Sequence, residues 1–182
     1  IITDVVDIDE DIVKLARKYF HFNIKGQILI EDARISFLTR SKKYDLVILD
    51  AFTGDSTPNH LLSIEAFQTA KDRIRDDGLL IMNTIGNFTL NNGRMTASIV
   101  HTLKQVFNNV LVYPLFNPEK GDSGNLVILA YDGEYKKPDL NAISKHPIHH
   151  AAIDEVRKTI TKNYSPPHRV DLITLTDEYN PI

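Results

Sequence analysis

The sequence predicts an α/β fold: a mainly parallel sheet covered on both faces by helices, with one antiparallel edge strand. Two observations lead there. Short aliphatic and β-branched runs, clearest in residues 44–50 (YDLVILD), alternate with longer stretches whose apolar residues recur at helical spacing. The strand-like runs also lack polar alternation, as strands buried on both faces do. Strands alternating with helices imply right-handed crossovers and parallel pairing.

The elements follow in order. Residues 1–7 form a strand that ends in acid, and Asp9 caps a helix with Glu10 and Asp11 in its first turn and Ile12, Leu15, Ala16 and Tyr19 on one stripe. Residues 27–31 are a second strand, and Asp32 precedes a short helix over 33–39. After the strand at 44–50 a turn-rich stretch, 51–59, leads into a helix near 63–75 with Phe67, Ala70 and Ile74 inward, ended by Asp77-Gly78. Residues 79–84 are a strand, and Met95, Ile99, Leu103 and Val106 mark a helix. Residues 110–113 and 126–131 are two strands with no helix between them, joined by the loop 114–125, and hence the antiparallel edge. Beyond Lys136-Lys137-Pro138 come a helical pattern at Ile153, Val156 and Ile160, then Pro166-Pro167 and an extended LITLTDEYNP segment.

A chain of 182 residues, 42% hydrophobic and 25% charged, suits one globular domain: a core over 1–133 and a helical and extended tail over 134–182. The formal charge of -3, from 24 acidic and 21 basic side chains without a basic stripe, argues against nucleic acid as a partner. With no cysteine, disulfides, thiolate metal sites and thiol nucleophiles are excluded. No apolar run approaches the ~20 residues a membrane helix needs, and no leader pattern precedes the first strand, so no membrane contact and a cytoplasmic location are expected. The chain enters an apolar run at Ile1 without a methionine, which reads as a fragment or a processed or trimmed chain.

In an open parallel sheet, ligands bind outside the carboxyl ends of the strands. Three strands here end in acid: Asp7 closes the first, Asp32 follows the second, and Asp50 closes the third. A carboxylate there accepts hydrogen bonds from the ribose hydroxyls of an adenosine ligand, or meets the adenine amine. The plainer role is to cap the following helix or turn. Asp9 is assigned that role, and Asp7, still on the strand, the ligand role.

The segments VVDIDEDIVKLARKYF, IEDARISFL, KYDLVILDAFTGDSTPNHLLSIEAF and DDGLLIMN resemble, in that order and spacing, the polyamine synthase family of aminopropyltransferases and its spermidine-synthase-like relatives. The closing LTDEYNP resembles the tail of the latter. The resemblance covers nearly the whole chain and is most specific from Tyr44 to Phe67. It implies a Rossmann-like fold of the S-adenosylmethionine methyltransferase type. It further implies transfer of an aminopropyl group from decarboxylated S-adenosylmethionine to a polyamine such as putrescine. By that resemblance Asp7, with Ile8 beside it, takes the place of the acid that holds the ribose, usually a glutamate. Asp32 and Ala33 match the pair that contacts adenine, and Pro58 and Leu62 would line the adenine pocket. Asp50 matches the acid that orients and deprotonates the attacking amine, and Asp55 is a second contact for that amine. No metal is implied, and a homo-oligomer is compatible with the family.

The chemistry gives Asp50 a reason. An alkylamine of pKa ~10.4 is almost wholly protonated at pH 7, yet it must attack as the neutral base. A carboxylate draws the cation in, aligns its nitrogen and takes its proton, a contribution of ~10²- to 10⁴-fold. Departures from the family pattern are also visible. Its compact Asp-Ser-Ser-Asp-Pro loop is replaced by Asp50-Ala51-Phe52-Thr53-Gly54-Asp55-Ser56, and a tyrosine of the 114 region by Phe116, which cannot share a proton. The central first strand of that fold and its glycine-rich turn are absent from the chain. Another segment, another chain, a strand exchange, or direct pairing of the strands at 1–7 and 44–50 is expected to fill the gap. Two alternatives to aminopropyl transfer stay open: an S-adenosylmethionine-dependent methyltransferase-like enzyme, and a non-catalytic remnant of the fold. His146, His149 and His150 read as a solvated loop and not as a metal site.

Overall fold

The computed structural model describes residues 1–54, 56–134, 163–166 and 171–181. The helical pattern at 153–160, the three histidines and Asp55 lie outside the described residues. The chain divides into two compact units, 1–42 and 43–182.

The first unit is a β-α-β-α run: β1 (Val5–Asp7), α1 (Glu10–Phe20), β2 (Ile28–Ile30) and α2 (Ala33–Thr39). β1 and β2 pair in parallel with Val5 opposite Ile28 and Asp7 opposite Ile30. Both helices start as the sequence predicts: Asp9 accepts from the Asp11 amide, and Asp32 from those of Arg34 and Ile35. Gly26 is required where the chain enters β2, because a Cβ there would lie 2.0 Å from the Thr3 carbonyl oxygen. The stripe expected of α1 is turned outward. Val13 is buried with Ala16 partly covered, while Ile12, Leu15 and Tyr19 are about half exposed. A two-stranded ladder is too narrow to cover a whole stripe, so only the residues directly over it are shielded.

The second unit holds β3 (Tyr44–Leu49), a short 3-10 turn (Asn59–Leu61), α3 (Ile64–Lys71), β4 (Ile74–Asn87), α4 (Arg94–Val106), β5 (Asn109–Pro114) and β6 (Ser123–Tyr131). Its sheet runs β3-β4-β6-β5. β3 and β4 are parallel, and β6 is antiparallel to both β4 and β5. The α/β class with mainly parallel crossovers and an antiparallel closing pair therefore stands. The antiparallel strand lies one place in from the edge, which β5 occupies. β1 pairs with β2 in one sheet, and β3 with β4 in the other.

The helix expected over 63–75 stops at Lys71, and its last residues become the start of β4. The Tyr44 amide bonds the Arg73 carbonyl at 2.8 Å, which draws that segment onto β3. The register then jumps from Tyr44 opposite Ile74 to Leu46 opposite Leu79. Asp77-Gly78, read as a turn between elements, is thus a bulge inside one strand.

One face of this sheet is buried under α3 and α4. Leu80, Met82 and Thr84 of β4 and Leu126, Ile128 and Ala130 of β6 are at most 1% exposed, and Phe67, Ala70, Ile99 and Leu103 of the two helices are buried as well. The extended tail lies on the same helices: the Leu175 amide donates to Thr102 Oγ1 at 3.0 Å, and its carbonyl accepts from the Ile64 amide at 2.8 Å. Leu175 is fully buried. Leu175→Ala is therefore expected to cost ~2–5 kcal/mol. The urea midpoint should fall while the m-value holds, and an unmoved midpoint would show that the tail does not belong to the core.

At the far end of α3, Lys71 pairs with Asp132 at 2.5 Å and donates to the Val106 carbonyl at 2.6 Å. Burial raises the Asp132 pKa, but the Lys71 ammonium and the Asn108 amide outweigh it and hold the carboxyl below its usual range. A carboxyl depressed in the folded state contributes stability above its unfolded pKa of ~3.9 and loses it as the pH falls through the depressed value. Stability of Asp132→Asn, followed by denaturant titration from neutral pH downward, should fall less steeply in acid than that of the parent. Superimposable acid limbs would refute this.

Candidate functional site

The first unit gathers four of the expected residues at the carboxyl ends of β1 and β2. Asp7 closes β1, and its Oδ1 accepts from the Asp9 amide at 2.8 Å. Its Oδ2 has no partner among the described residues. The Asp7 carbonyl takes the Glu31 amide at 3.1 Å, so the chain leaving β2 runs beside it. Ile8 is largely exposed at 74%. Asp32 commits Oδ1 to the Arg34 and Ile35 amides at 2.8 and 3.2 Å, which fixes the start of α2 at Ala33. Its neighbour Glu31 is bound by Arg40 at 3.0 Å, and that hydrogen bond leads the effects that lower its pKa.

The second unit carries Asp50 at the end of β3. The register explains its position. Leu49 lies opposite Met82, so the next step along both parallel strands sets Asp50 beside Asn83. Leu49 and Met82 point into the core, and alternation therefore turns Asp50 and Asn83 to the opposite face. Asn83 Nδ2 donates to Asp50 Oδ1 at 2.9 Å. The Asn83 Oδ1 is buried and accepts no bond from the described residues. An exposed carboxylate and a spare amide carbonyl thus stand side by side at one strand end. The exposed carboxylate fits the N–H groups of an amine or ammonium, while the Asn83 carbonyl lies covered behind it. The sequence reading assigned Asn83 no role. Its signal is an amide interrupting the aliphatic run GLLIM one step past the level of Leu49.

The loop after Asp50 is held by its own contacts. The Thr53 amide bonds the Ser56 carbonyl at 2.8 Å around Gly54, whose φ of 63° is the left-handed conformation glycine accepts without strain. Thr57, fully buried, hydrogen-bonds Thr84 on the core face of β4 at 3.1 Å. Pro58 is partly exposed and precedes the 3-10 turn. Leu62, expected in a pocket wall, ends the 3-10 turn and has no exposed surface. Phe116 stacks on Phe88 with ring centroids 5.8 Å apart, and Phe88 in turn packs against Tyr164 at 4.4 Å.

A cleft of about 170 Å³ lies at the other end of these strands, lined by Lys43, Lys71, Arg75, Phe107 and Asp132 among others. It collects residues that precede β3 and open β4. By the rule that ligands sit at carboxyl ends, it is not the place where Asp50 acts. No helix among the described residues is long and apolar enough to cross a membrane.

Residues 2–132 match the model of the spermine/spermidine synthase domain. Over 134 residues the chain is 33% identical to the N-terminal histidine N-methyltransferase of Emericella nidulans, covering 69% of this chain and 23% of that protein. It is 30% identical over 133 residues to a polyamine aminopropyltransferase of Vibrio vulnificus, covering 70% of this chain and 41% of the relative. The chain thus spans less than half the length of these two relatives. Among solved structures, a probable spermidine synthase from Corynebacterium glutamicum superposes with a TM-score of 0.68 at 22% identity, covering 93% of this chain and 64% of that one, and shares its fold. With a strand-end carboxylate in each half and the family pattern running through both, the chain belongs to the spermine/spermidine synthase domain family.

Proposed function

We propose that this chain is the larger part of an aminopropyltransferase domain. It would move an aminopropyl group from decarboxylated S-adenosylmethionine to a polyamine such as putrescine, with Asp50 as the group that orients and deprotonates the amine. The observation that carries the reading is the Asp50–Asn83 pair, a carboxylate held by an amide whose own carbonyl is buried and unbonded. A cationic diamine is drawn to the carboxylate, whose direction the Asn83 amide fixes. The nitrogen lone pair attacks the methylene carbon beside the sulfonium, the carbon–sulfur bond breaks, and a neutral thioether nucleoside leaves. The proton lost from nitrogen passes to Asp50.

In the same reading Asp7 holds the ribose through the oxygen that the turn leaves over, with Ile8 beside it. Asp32 and Ala33 meet the adenine, Pro58 closes over the ring with Leu62 behind it, and Asp55 is a further amine contact. The chain would be one nucleotide-binding domain, needing no metal and no nucleic acid, in a cytoplasmic protein that associates with further copies. The N-methyltransferase relative and the aromatic departures at Phe52 and Phe116 favour a second reading, methyl transfer from ordinary S-adenosylmethionine to an amine at the same carboxylate.

Calorimetry of the natural full-length protein with decarboxylated and ordinary S-adenosylmethionine separates the two, and failure to bind either sinks both. In Asp50→Asn the kcat/KM for the amine should drop ~10²- to 10⁴-fold, with nucleoside affinity kept. Undiminished transfer by that variant rules out Asp50 as the base.

A further inference from the structure

We propose that the tail over 173–180 is a clasp for the loop between Asp50 and α3, with Asp177 and Asn180 as positioning residues for the acceptor amine. The proposal rests on the reading of Asp50 given above. The tail does more than cover the core. Up to Leu175 it is an extended segment hydrogen-bonded to α4, with the Ile173 amide on Ser98 Oγ at 3.4 Å and the Leu175 amide on Thr102 Oγ1 at 3.0 Å. It then folds a tight turn, in which the Thr176 amide bonds the Tyr179 carbonyl at 3.0 Å and the Tyr179 amide bonds Thr176 Oγ1 at 2.9 Å. This turn brings two side chains onto the loop that leaves Asp50.

Asp177 Oδ1 accepts from the Ser63 hydroxyl at 2.5 Å, and the Asp177 amide donates to Glu65 Oε2 at 3.0 Å. Ser63 is the residue that caps α3, its oxygen accepting the Ala66 amide at 3.1 Å. Asp177 therefore holds the cap itself, and its negative charge stands where the helix dipole favours it. Asn180 Nδ2 donates to the Asn59 carbonyl at 2.8 Å, fixing the 3-10 turn just after Pro58. The loop is thus pinned by β4 through Asp50–Asn83 and Thr57–Thr84, and by the tail through Asn59 and Ser63. The Asn180 Oδ1 is buried and accepts nothing from the described residues. It keeps an acceptor in reserve for an N–H or O–H of the loop in its substrate-bound arrangement.

Chemistry separates the two clasp residues from passive packing. Asn180→Asp keeps size and shape but has no N–H to give Asn59, whereas Asp177→Asn keeps an oxygen for Ser63 and Asp177→Ala does not. In the natural full-length protein, Asn180→Asp and Asp177→Ala should raise the KM for the amine about tenfold, with kcat and nucleoside affinity nearly unchanged. Amide hydrogen exchange over 51–62 should quicken about tenfold in both, while β4 and β6 exchange as before. Asp177→Asn, which keeps an oxygen for Ser63 and loses the charge, should fall between the parent and Asp177→Ala in both amine KM and loop exchange. Unchanged loop exchange in Asn180→Asp and Asp177→Ala overturns the clasp, whatever Asp50 does. Faster loop exchange with an unmoved amine KM overturns the positioning role. Failure of the Asp50 reading is seen separately, as full activity in Asp50→Asn.

Discussion

The parallel register of β3 on β4 governs what the larger unit can do. A strand has two faces and a period of two, so a slip of one residue would exchange everything that points into the core with everything that points out. Leu49 opposite Met82 sends both into the packed layer under α3 and α4, and the same parity delivers Asp50 and Asn83 together on the other side. The core thereby constrains the pair: with Leu49, Met82 and Thr84 buried, a slip of one residue is excluded. The bulge at residues 75–78 serves the same end, because it absorbs the mismatch near the start of the strands and lets the pairing run true toward Asp50.

The loop that follows explains why so much of this unit's polar bonding lies near one segment. A loop leaving a strand end tends to be mobile unless its backbone groups are tied down. Here the ties are side chains from distant parts of the chain: Thr84 from the core strand, and Asp177 and Asn180 from the tail. Buried threonines and serines on α4, Ser98 and Thr102, make the helix face unusually polar. Their hydroxyls take the tail's amides, which would otherwise be buried without partners.

Much of this was legible in the sequence, and the failures have specific causes. α2 was read from Ala33 to Thr39 because Asp32 marks its start chemically, and α4 was read from Met95, Ile99, Leu103 and Val106 because a long helix shows its stripe over several turns. Ile12, Leu15 and Tyr19 were misplaced because periodicity reveals that a face is apolar and says nothing of what is present to cover it. Lys71 as the end of α3 was hidden because residues 72–75 carry no glycine or proline to stop a helix, and the stop comes from pairing with β3. Asn83 escaped because its meaning depends on a neighbour in another strand. The tail was noticed as a motif, but its partners lie more than 60 residues away in sequence, at Ser63, Ser98 and Thr102.

The strand-end carboxylates differ in how much of each the backbone claims. Asp9 and Asp32 precede helices, where unbonded amides wait within reach, and both are drawn onto them. Asp7 gives one oxygen to a turn amide two residues on. Asp50 is followed by a loop and not by a helix, so no cluster of amides competes for it, and its bond is to the side-chain amide of Asn83. A carboxylate saturated by amides is a structural part; one that retains lone pairs and exposure can still bind a cation and take a proton. The departure from the family's compact loop preserves that condition. The segment after Asp50 does not begin as a helix, and the carboxylate keeps its exposure.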